Sequence, residues 1–198
     1  MNRGGDQPEK VAHAERAGRN GHEGHVIWLT GLSGAGKSTL SVALERRLFD
    51  AGHQTYVLDG DHVRAGLCSD LGFSPADRSE NIRRVGEVAR TLADAGVMVI
   101  VALISPFAAD RARARAGHAP GRFTEVYVNA PLEVCEGRDA KGLYARARRH
   151  EIADFTGLTS PYEPPVQPDV EIRTDQVTVA QGVDLIWQHL QREDRLLH

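Results

Sequence analysis

The sequence is poor in several features that would point to particular classes of protein. Its 198 residues include only two cysteines, Cys68 and Cys135, too far apart for a C-x-x-C or zinc-type spacing. Reduced thiols in a cytoplasmic protein are therefore expected. No apolar run approaches the roughly 18 residues that a membrane-spanning helix needs. The net charge of −3 offers no basic excess for nucleic acid. We therefore expect neither a membrane nor a nucleic acid as partner.

The first 24 residues also lack an apolar segment of the kind found in secretory signals. They are polar and rich in glycine and histidine. We interpret residues 1–24 as a disordered N-terminal tail. Residues 25–198 are then one globular domain, long enough to bury a substantial core.

Strand and helix patterns alternate along this domain. Short apolar runs predict strands, and apolar residues at helical spacing predict helices. The predicted strands cover 26–30, 54–58, 97–103, 123–128 and 169–173, and the predicted helices cover 37–51, 77–95, a stretch after Pro106, a short one opened by Pro131, and about 178–192. This order predicts an α/β fold with a mostly parallel sheet and helices on both faces.

Two arginine-rich stretches lie outside that simple pattern. Residues 108–116 are rich in Ala and Arg, which predicts a helix with a solvated basic face. Residues 138–165 are Arg-rich and then Gly/Pro-rich, a composition that suits a mobile lid. We place a helical lid at about 138–160.

Residues 31–38 read GLSGAGKS and match the phosphate-binding pattern G-x-x-x-x-G-K-[ST] between a predicted strand and helix. Glycines allow the backbone N–H groups to point inward, where they and the helix N-terminus bind phosphates. Lys37 is expected to reach the β- and γ-phosphates of ATP, and the Ser38 hydroxyl to ligate Mg²⁺. A chance glycine-rich turn is disfavoured by the number of matching positions. The pattern predicts a three-layer P-loop fold, but it does not distinguish a kinase from an NTPase that drives motion.

The predicted ATP-binding residues in this segment are Gly31, Leu32, Ser33, Gly34, Ala35, Gly36, Lys37, Ser38 and Thr39.

Two carboxylates, Asp59 and Asp61, follow the second predicted strand. At the carboxyl edge of a parallel sheet they would point toward a bound ligand. Asp61 could accept the proton of an attacking hydroxyl or hold the water shell of the metal, and Asp59 could do the second. The alternative is that Asp61 caps a helix beginning at His62.

A group of arginines with an interleaved aromatic residue follows. The group comprises Arg64, Phe73, Arg78, Asn81, Arg83 and Arg84, and it suits an anionic acceptor that carries a flat base. The alternative is a helix surface laced with ion pairs, because several acidic residues lie nearby. No N-K-x-D segment is present to read guanine, which disfavours a regulatory nucleotide switch.

Together these segments resemble the adenylylsulfate kinase family. The matching segments include the P-loop, LDGDHVR and DRSENIRRVGEVA, and the resemblance spans residues 25–192. The positions that carry it are 31–38, 58–64, 66–74, 77–89, 104–106, 138–144 and 155–157.

The resemblance implies phosphate transfer from Mg·ATP to adenylyl sulfate by a homodimeric enzyme. It places Phe73 and Phe155 around the adenine of the acceptor, Lys141 in the lid, and Arg138 near the adenine of ATP. Ser105 matches a position described in the family as a phosphoserine, although direct in-line transfer needs no such intermediate. The implied acceptor-binding residues are Asp59, Asp61, Arg64, Phe73, Arg78, Asn81, Ile104, Ser105, Lys141 and Phe155, and the implied catalytic residues are Lys37, Asp61 and Ser105.

Two positions depart from the family pattern. Ala140 stands where proline is frequent, and Ala145 where a basic residue is common, so that Arg146 or Arg148 would have to supply that charge. Two alternatives stay open at this point: a related kinase with another nucleotide-type acceptor, and a non-catalytic domain of the kind fused to ATP sulfurylase.

Overall fold

The computed structural model describes residues 10–196. Its helices and strands are α1 (His13–Asn20), β1 (His25–Thr30), α2 (Lys37–Asp50), β2 (Thr55–Asp59), α3 (Gly60–Ala65), α4 (Pro75–Asp94), β3 (Met98–Ala102), α5 (Ala108–Ala116), β4 (Phe123–Asn129), α6 (Leu132–Arg138), α7 (Leu143–Arg148), β5 (Val170–Arg173) and α8 (Val179–Arg192). The strands form one parallel sheet in the order β2-β3-β1-β4-β5.

The sheet is covered on both faces, as predicted. On β1, Ile27 and Leu29 join a buried cluster with residues of α2 and α8. Val26 and Trp28 point the opposite way, into a cluster with residues of α4. Because both faces of the strand are buried, its central residues 26–29 are all apolar rather than alternating. The three-layer α/β class is thereby confirmed.

Every predicted strand is present, with ends that differ by at most one residue. The long helix α4 begins earlier than expected, at Pro75 instead of residue 77. Ser74 caps it, since the Ser74 hydroxyl accepts from Asp77 N at 3.2 Å and proline fits the first helical turn.

Part of the segment expected to be a disordered tail is ordered. Within residues 1–24, the stretch His13–Asn20 forms α1. The Arg122 guanidinium contacts the ring of His13 and pairs with Glu23 at 3.0 Å. These partners lie about a hundred positions apart in the chain, so composition alone could not show them. Residues 1–9 lie outside the described part of the chain.

The region expected to be a helical lid contains little helix. Between the end of α6 and residue 160, only Leu143–Arg148 is helical. The amides of residues 158–160 all donate to Phe155 O, which folds this part into turns instead.

Cys68 and Cys135 are both buried and free of disulfides. Across residues 10–196, no helix combines the length and apolar character that crossing a membrane would require.

Candidate active site

A large cleft of about 1100 Å³ opens at the carboxyl edge of the sheet. The P-loop, the end of β2, the start of α4, the loop after β3, parts of residues 138–156 and residues near the end of β5 line it. The carboxyl ends of parallel strands meet at this edge, so segments far apart in sequence converge there.

The P-loop turns in a way that only glycine accommodates. Gly31, Gly34 and Gly36 all have positive φ, at 152°, 74° and 103°. A Cβ on Gly31 would lie 2.3 Å from Val128 O, and one on Gly34 would lie 2.8 Å from Cys135 O. The backbone can therefore pack this closely only without side chains at these positions.

Of the nine residues predicted to bind ATP in this loop, six line the cleft: Ser33, Gly34, Gly36, Lys37, Ser38 and Thr39. The others form the layer behind. Ala35 is fully buried, and the carbonyls of Gly31 and Leu32 face Lys37.

Lys37 is folded over the loop. Its Nζ donates to Gly31 O at 2.9 Å and to Leu32 O at 2.7 Å. Burial lowers the pKa of this amine to about 8, although the nearby Asp59 acts in the opposite direction. The amine is thus held where it has lost much of its hydration, and a bound phosphate would restore its preference for the charged form.

Ser38 and Asp59 stand side by side. The Ser38 hydroxyl donates to Asp59 Oδ2 at 2.7 Å. Neighbouring hydroxyl and carboxylate oxygens suit Mg²⁺, which takes few protein ligands and completes its shell with water and substrate phosphate. Within residues 10–196, no group of three or more His, Cys, Asp or Glu side chains forms a metal site on its own. The Ser38 hydroxyl and the Asp59 carboxylate supply two oxygen donors of the kind that Mg²⁺ takes from a protein.

The helix cap predicted as an alternative role for Asp61 belongs to its neighbour. Asp59 Oδ1 accepts from Asp61 N at 3.0 Å and caps α3. The Asp61 carboxylate is instead 76% exposed and forms an ion pair with Lys141 across the cleft. The structure thus brings together two predicted site residues from segments eighty positions apart.

Arg64 and Arg78 gather around Phe73. Their guanidinium carbons lie 4.3 Å and 5.6 Å from the centre of the Phe73 ring. Arg78 also donates to Phe73 O at 3.0 Å and to Asp154 O at 2.6 Å. Burial lowers the pKa of both arginines. Two half-dehydrated cations with neutral partners are well prepared for an anion.

The alternative of an ion-paired helix surface describes the next two arginines. Arg83 and Arg84 pair with Glu80 at 2.7 Å and 2.9 Å, and Arg84 also pairs with Asp70 at 2.6 Å. These two therefore belong to the surface, whereas the arginines at Phe73 belong to the cleft.

Asn81 presents a poorly satisfied donor to the cleft. The residue is only 4% exposed and lines the cleft. Its Nδ2 is buried and has no oxygen or nitrogen partner among residues 10–196; the side chain lies instead beside the Cys68 thiol, a weak acceptor. Leaving such a group unpaired costs about 1–3 kcal/mol, so a ligand oxygen would be a favourable partner.

The two predicted base-binding aromatics differ in burial. Phe73 is exposed on the cleft wall, and Phe155 is buried. Phe155 packs edge-on against Tyr144, with ring centroids 4.8 Å apart. One ring is therefore fixed, and the other is held mainly by the arginines over it.

The loop after β3 carries Ile104 and Ser105. Thr30 Oγ1 donates to Ile104 O at 2.7 Å. Ser105 has a positive φ of 46° and is 1% exposed, and its hydroxyl accepts from Trp28 Nε1 at 3.0 Å. The Ser105 hydroxyl is therefore buried and engaged as an acceptor by the indole N–H of Trp28.

Arg138 reaches the back of the P-loop through a residue that the sequence analysis missed. Arg138 donates to Thr174 Oγ1 at 3.0 Å and to Thr174 O at 2.7 Å, and Thr174 Oγ1 donates to Ala35 O at 2.8 Å. Thr174 follows β5 at the carboxyl edge, a position that could have identified it. Tyr144 was also missed; its hydroxyl donates to Ser33 O at 2.9 Å.

Of the two arginines that could supply the charge missing at Ala145, one lines the cleft. Arg146 lines the cleft, where it pairs with Glu151 at 3.4 Å. Arg148 instead pairs with Glu136 at 2.7 Å.

Comparisons with known proteins agree with this geometry. The family model described as Adenylylsulphate kinase matches residues 23–173. A probable adenylyl-sulfate kinase of Bacillus subtilis strain 168 is 52% identical over 184 residues, covering 93% of this chain and 92% of its own. The adenylyl-sulfate kinase of Shewanella sp. strain MR-7 is 54% identical over 180 residues, covering 91% of this chain and 88% of its own.

Among solved structures, the APS kinase of Mycobacterium tuberculosis in complex with AMPPNP and APS has a TM-score of 0.83 at 47% identity, and the match covers 86% of this chain and 99% of that one. A shikimate kinase of Aquifex aeolicus, 17% identical with a TM-score of 0.50, shares the fold alone. The chain belongs to the adenylylsulphate kinase family.

Proposed function

We propose that this chain transfers the γ-phosphate of ATP to the 3′-hydroxyl of adenylyl sulfate, giving ADP and 3′-phosphoadenylyl sulfate. The observation that carries the proposal is one cleft lined by both the P-loop and the Arg64, Phe73, Arg78 and Asn81 group. The names of the relatives and the ligands of the Mycobacterium tuberculosis enzyme support it.

On the donor side, the P-loop amides and Lys37 would hold the β- and γ-phosphates, with Arg138 near the base of ATP. Ser38 and Asp59 would hold Mg²⁺, which when bound neutralises charge on the phosphates. Catalysis of this kind rests on positioning and electrostatics more than on covalent chemistry.

On the acceptor side, Arg64, Arg78 and Asn81 would bind the phosphosulfate and ribose, and Phe73 and Phe155 the adenine. Asp61 would accept the hydrogen bond, and finally the proton, of the attacking 3′-hydroxyl. Since Lys141 pairs with Asp61 in the free chain, acceptor binding would exchange that ion pair for the substrate hydroxyl. Ser105 would shape the pocket through its backbone rather than carry phosphate.

We also expect a cytoplasmic homodimer, by resemblance to the family. Light scattering after size-exclusion chromatography would measure the molar mass and test the dimer directly.

The function is tested by ADP release with Mg·ATP and a set of acceptors: adenylyl sulfate, AMP, a cytidine nucleotide, and none. Adenylyl sulfate alone should support rapid release, and Lys37→Ala should abolish it without unfolding the protein. Rapid release with another acceptor, or with none, would overturn the acceptor assignment. A Lys37→Ala protein with near-normal turnover would overturn the role of the P-loop.

A further inference from the structure

One arginine of the Ala/Arg-rich helix does not lie on a solvated face. Arg111 on α5 is 3% exposed, contrary to the basic surface expected for residues 108–116. Its position is fixed by an ion pair with Glu125 of β4, where Nε lies 2.7 Å from Oε1. A buried guanidinium is tolerated only when its donors are satisfied.

The remaining donors of Arg111 reach two different segments. One terminal nitrogen donates to Ser105 O and the other to Glu163 O, each at 2.7 Å. Ser105 lies in the loop that lines the cleft, and Glu163 lies just beyond the end of the expected lid. A single side chain therefore ties both segments to the central sheet.

Further hydrogen bonds run directly between these two segments. Glu163 N donates to Pro106 O at 2.8 Å, and Ala108 N donates to Glu163 Oε2 at 2.7 Å. The hydroxyl of Tyr162 lies 3.1 Å from Thr30 Oγ1, which in turn holds Ile104 O. Residues 162–163 and the loop at 104–106 thus form one unit around Arg111.

The loop needs such support because its backbone is strained. Ser105 occupies the left-handed region, which residues other than glycine adopt only when the surroundings impose it. Arg111 binds the carbonyl of that residue, and Trp28 binds its hydroxyl. Residues 104–106 line the cleft, so a relaxed Ser105 would change the shape of the wall.

We propose that Arg111 is a positioning residue for acceptor binding, which acts by fixing the Ser105 backbone and the backbone at Glu163 together. This inference rests on the proposed function, because the acceptor is taken to be adenylyl sulfate. Arg111 itself is absent from the residues that line the cleft.

The test compares Arg111→Lys with Arg115→Lys. Arg115 also lies on α5 and approaches the same Glu125, at 3.8 Å. Its hydrogen bonds go to Phe123 O and Asp169 rather than to Ser105 or Glu163. It is therefore a matched control for the loss of an arginine beside Glu125.

For Arg111→Lys, the KM for adenylyl sulfate should rise about tenfold or more, because lysine cannot make all three charged hydrogen bonds. The dissociation constant for ATP should change much less, and Arg115→Lys should leave both constants near those of the unchanged protein. Equal losses for both ligands, or the same loss in Arg115→Lys, would overturn the proposal.

A milder variant keeps the test decisive if Arg111→Lys does not fold. Tyr162→Phe removes only the hydroxyl that meets Thr30, and it should raise the KM for adenylyl sulfate by a smaller factor at unchanged ATP affinity. An unchanged KM for adenylyl sulfate in this variant would contradict the proposal that this group of contacts positions the acceptor. The unchanged protein distinguishes failure of the proposed function from failure of the Arg111 proposal. If the unchanged protein does not use adenylyl sulfate, the proposed function is refuted, whatever the role of Arg111.

Discussion

Binding of ATP should be accompanied by proton uptake at mildly alkaline pH, and Lys37 should be the group that takes it up. Burial lowers the pKa of Lys37 in the free protein to about 8. Phosphate oxygens near Nζ favour the charged amine and so raise that pKa on binding. The pKa of Lys37 is changed by the bound ATP itself, so the prediction can be tested on the unchanged protein.

The magnitude follows from the fraction of Lys37 that is neutral before binding. With a pKa of about 8, that fraction is about one tenth at pH 7, about half at pH 8 and about nine tenths at pH 9. The number of protons taken up per ATP bound should therefore rise in the same proportion from pH 7 to pH 9. Since the ligand prefers the protonated form, affinity is greatest below pH 8, and it should fall about tenfold between pH 7 and pH 9.

The assay is isothermal titration calorimetry of Mg·ATP in pairs of buffers with different ionisation enthalpies. The slope of the measured enthalpy against the buffer enthalpy gives the number of protons taken up. Lys37→Arg is the control, since guanidinium stays charged throughout this range and should show no such uptake. Uptake near zero at pH 9 in the unchanged protein would refute the assignment of a low pKa to Lys37.

Four further variants test single side chains in or beside the site. Arg78→Ala should weaken adenylyl sulfate binding by about ten- to a hundredfold and ATP binding much less, because a charged hydrogen bond contributes about 1.5–3 kcal/mol; equal losses, measured by calorimetry, would make Arg78 structural. Ser105→Ala should keep turnover within about tenfold while lowering thermal stability, because the Trp28 N–H loses its partner at a cost of about 1–3 kcal/mol; a folded variant without turnover would restore a covalent role for Ser105. Arg146→Ala should reduce kcat/KM more than Arg148→Ala, since only Arg146 lines the cleft, and the reverse order would show that Arg148 supplies the charge missing at Ala145.

The sheet and the P-loop were predictable because their signals are local. Strands buried on both faces are continuous apolar runs, and β1 and β3 have this character. The glycines of the P-loop are required by backbone geometry, which a sequence pattern records directly. The position of Asp59 and Asp61 at the carboxyl edge followed from the parallel order of the strands.

What the sequence could not show depends on partners far along the chain. Arg111 looked like part of a basic surface, because nothing near it reveals Glu125 or the carbonyl of Glu163. Helix α1 looked like tail for the same reason, since its partner Arg122 lies elsewhere. The capping role of Asp59 was missed because two aspartates in one turn compete for it, and only the helix start at Gly60 decides between them.

The most direct test of the account is the position of the transferred phosphate. The protein should be incubated with Mg·ATP and adenylyl sulfate, and the product examined by ³¹P nuclear magnetic resonance beside a reaction with 3′-deoxyadenylyl sulfate. The account predicts one new phosphomonoester on the 3′-oxygen and no transfer to the deoxy analogue. Phosphate at any other position, or continued transfer to the analogue, would contradict it.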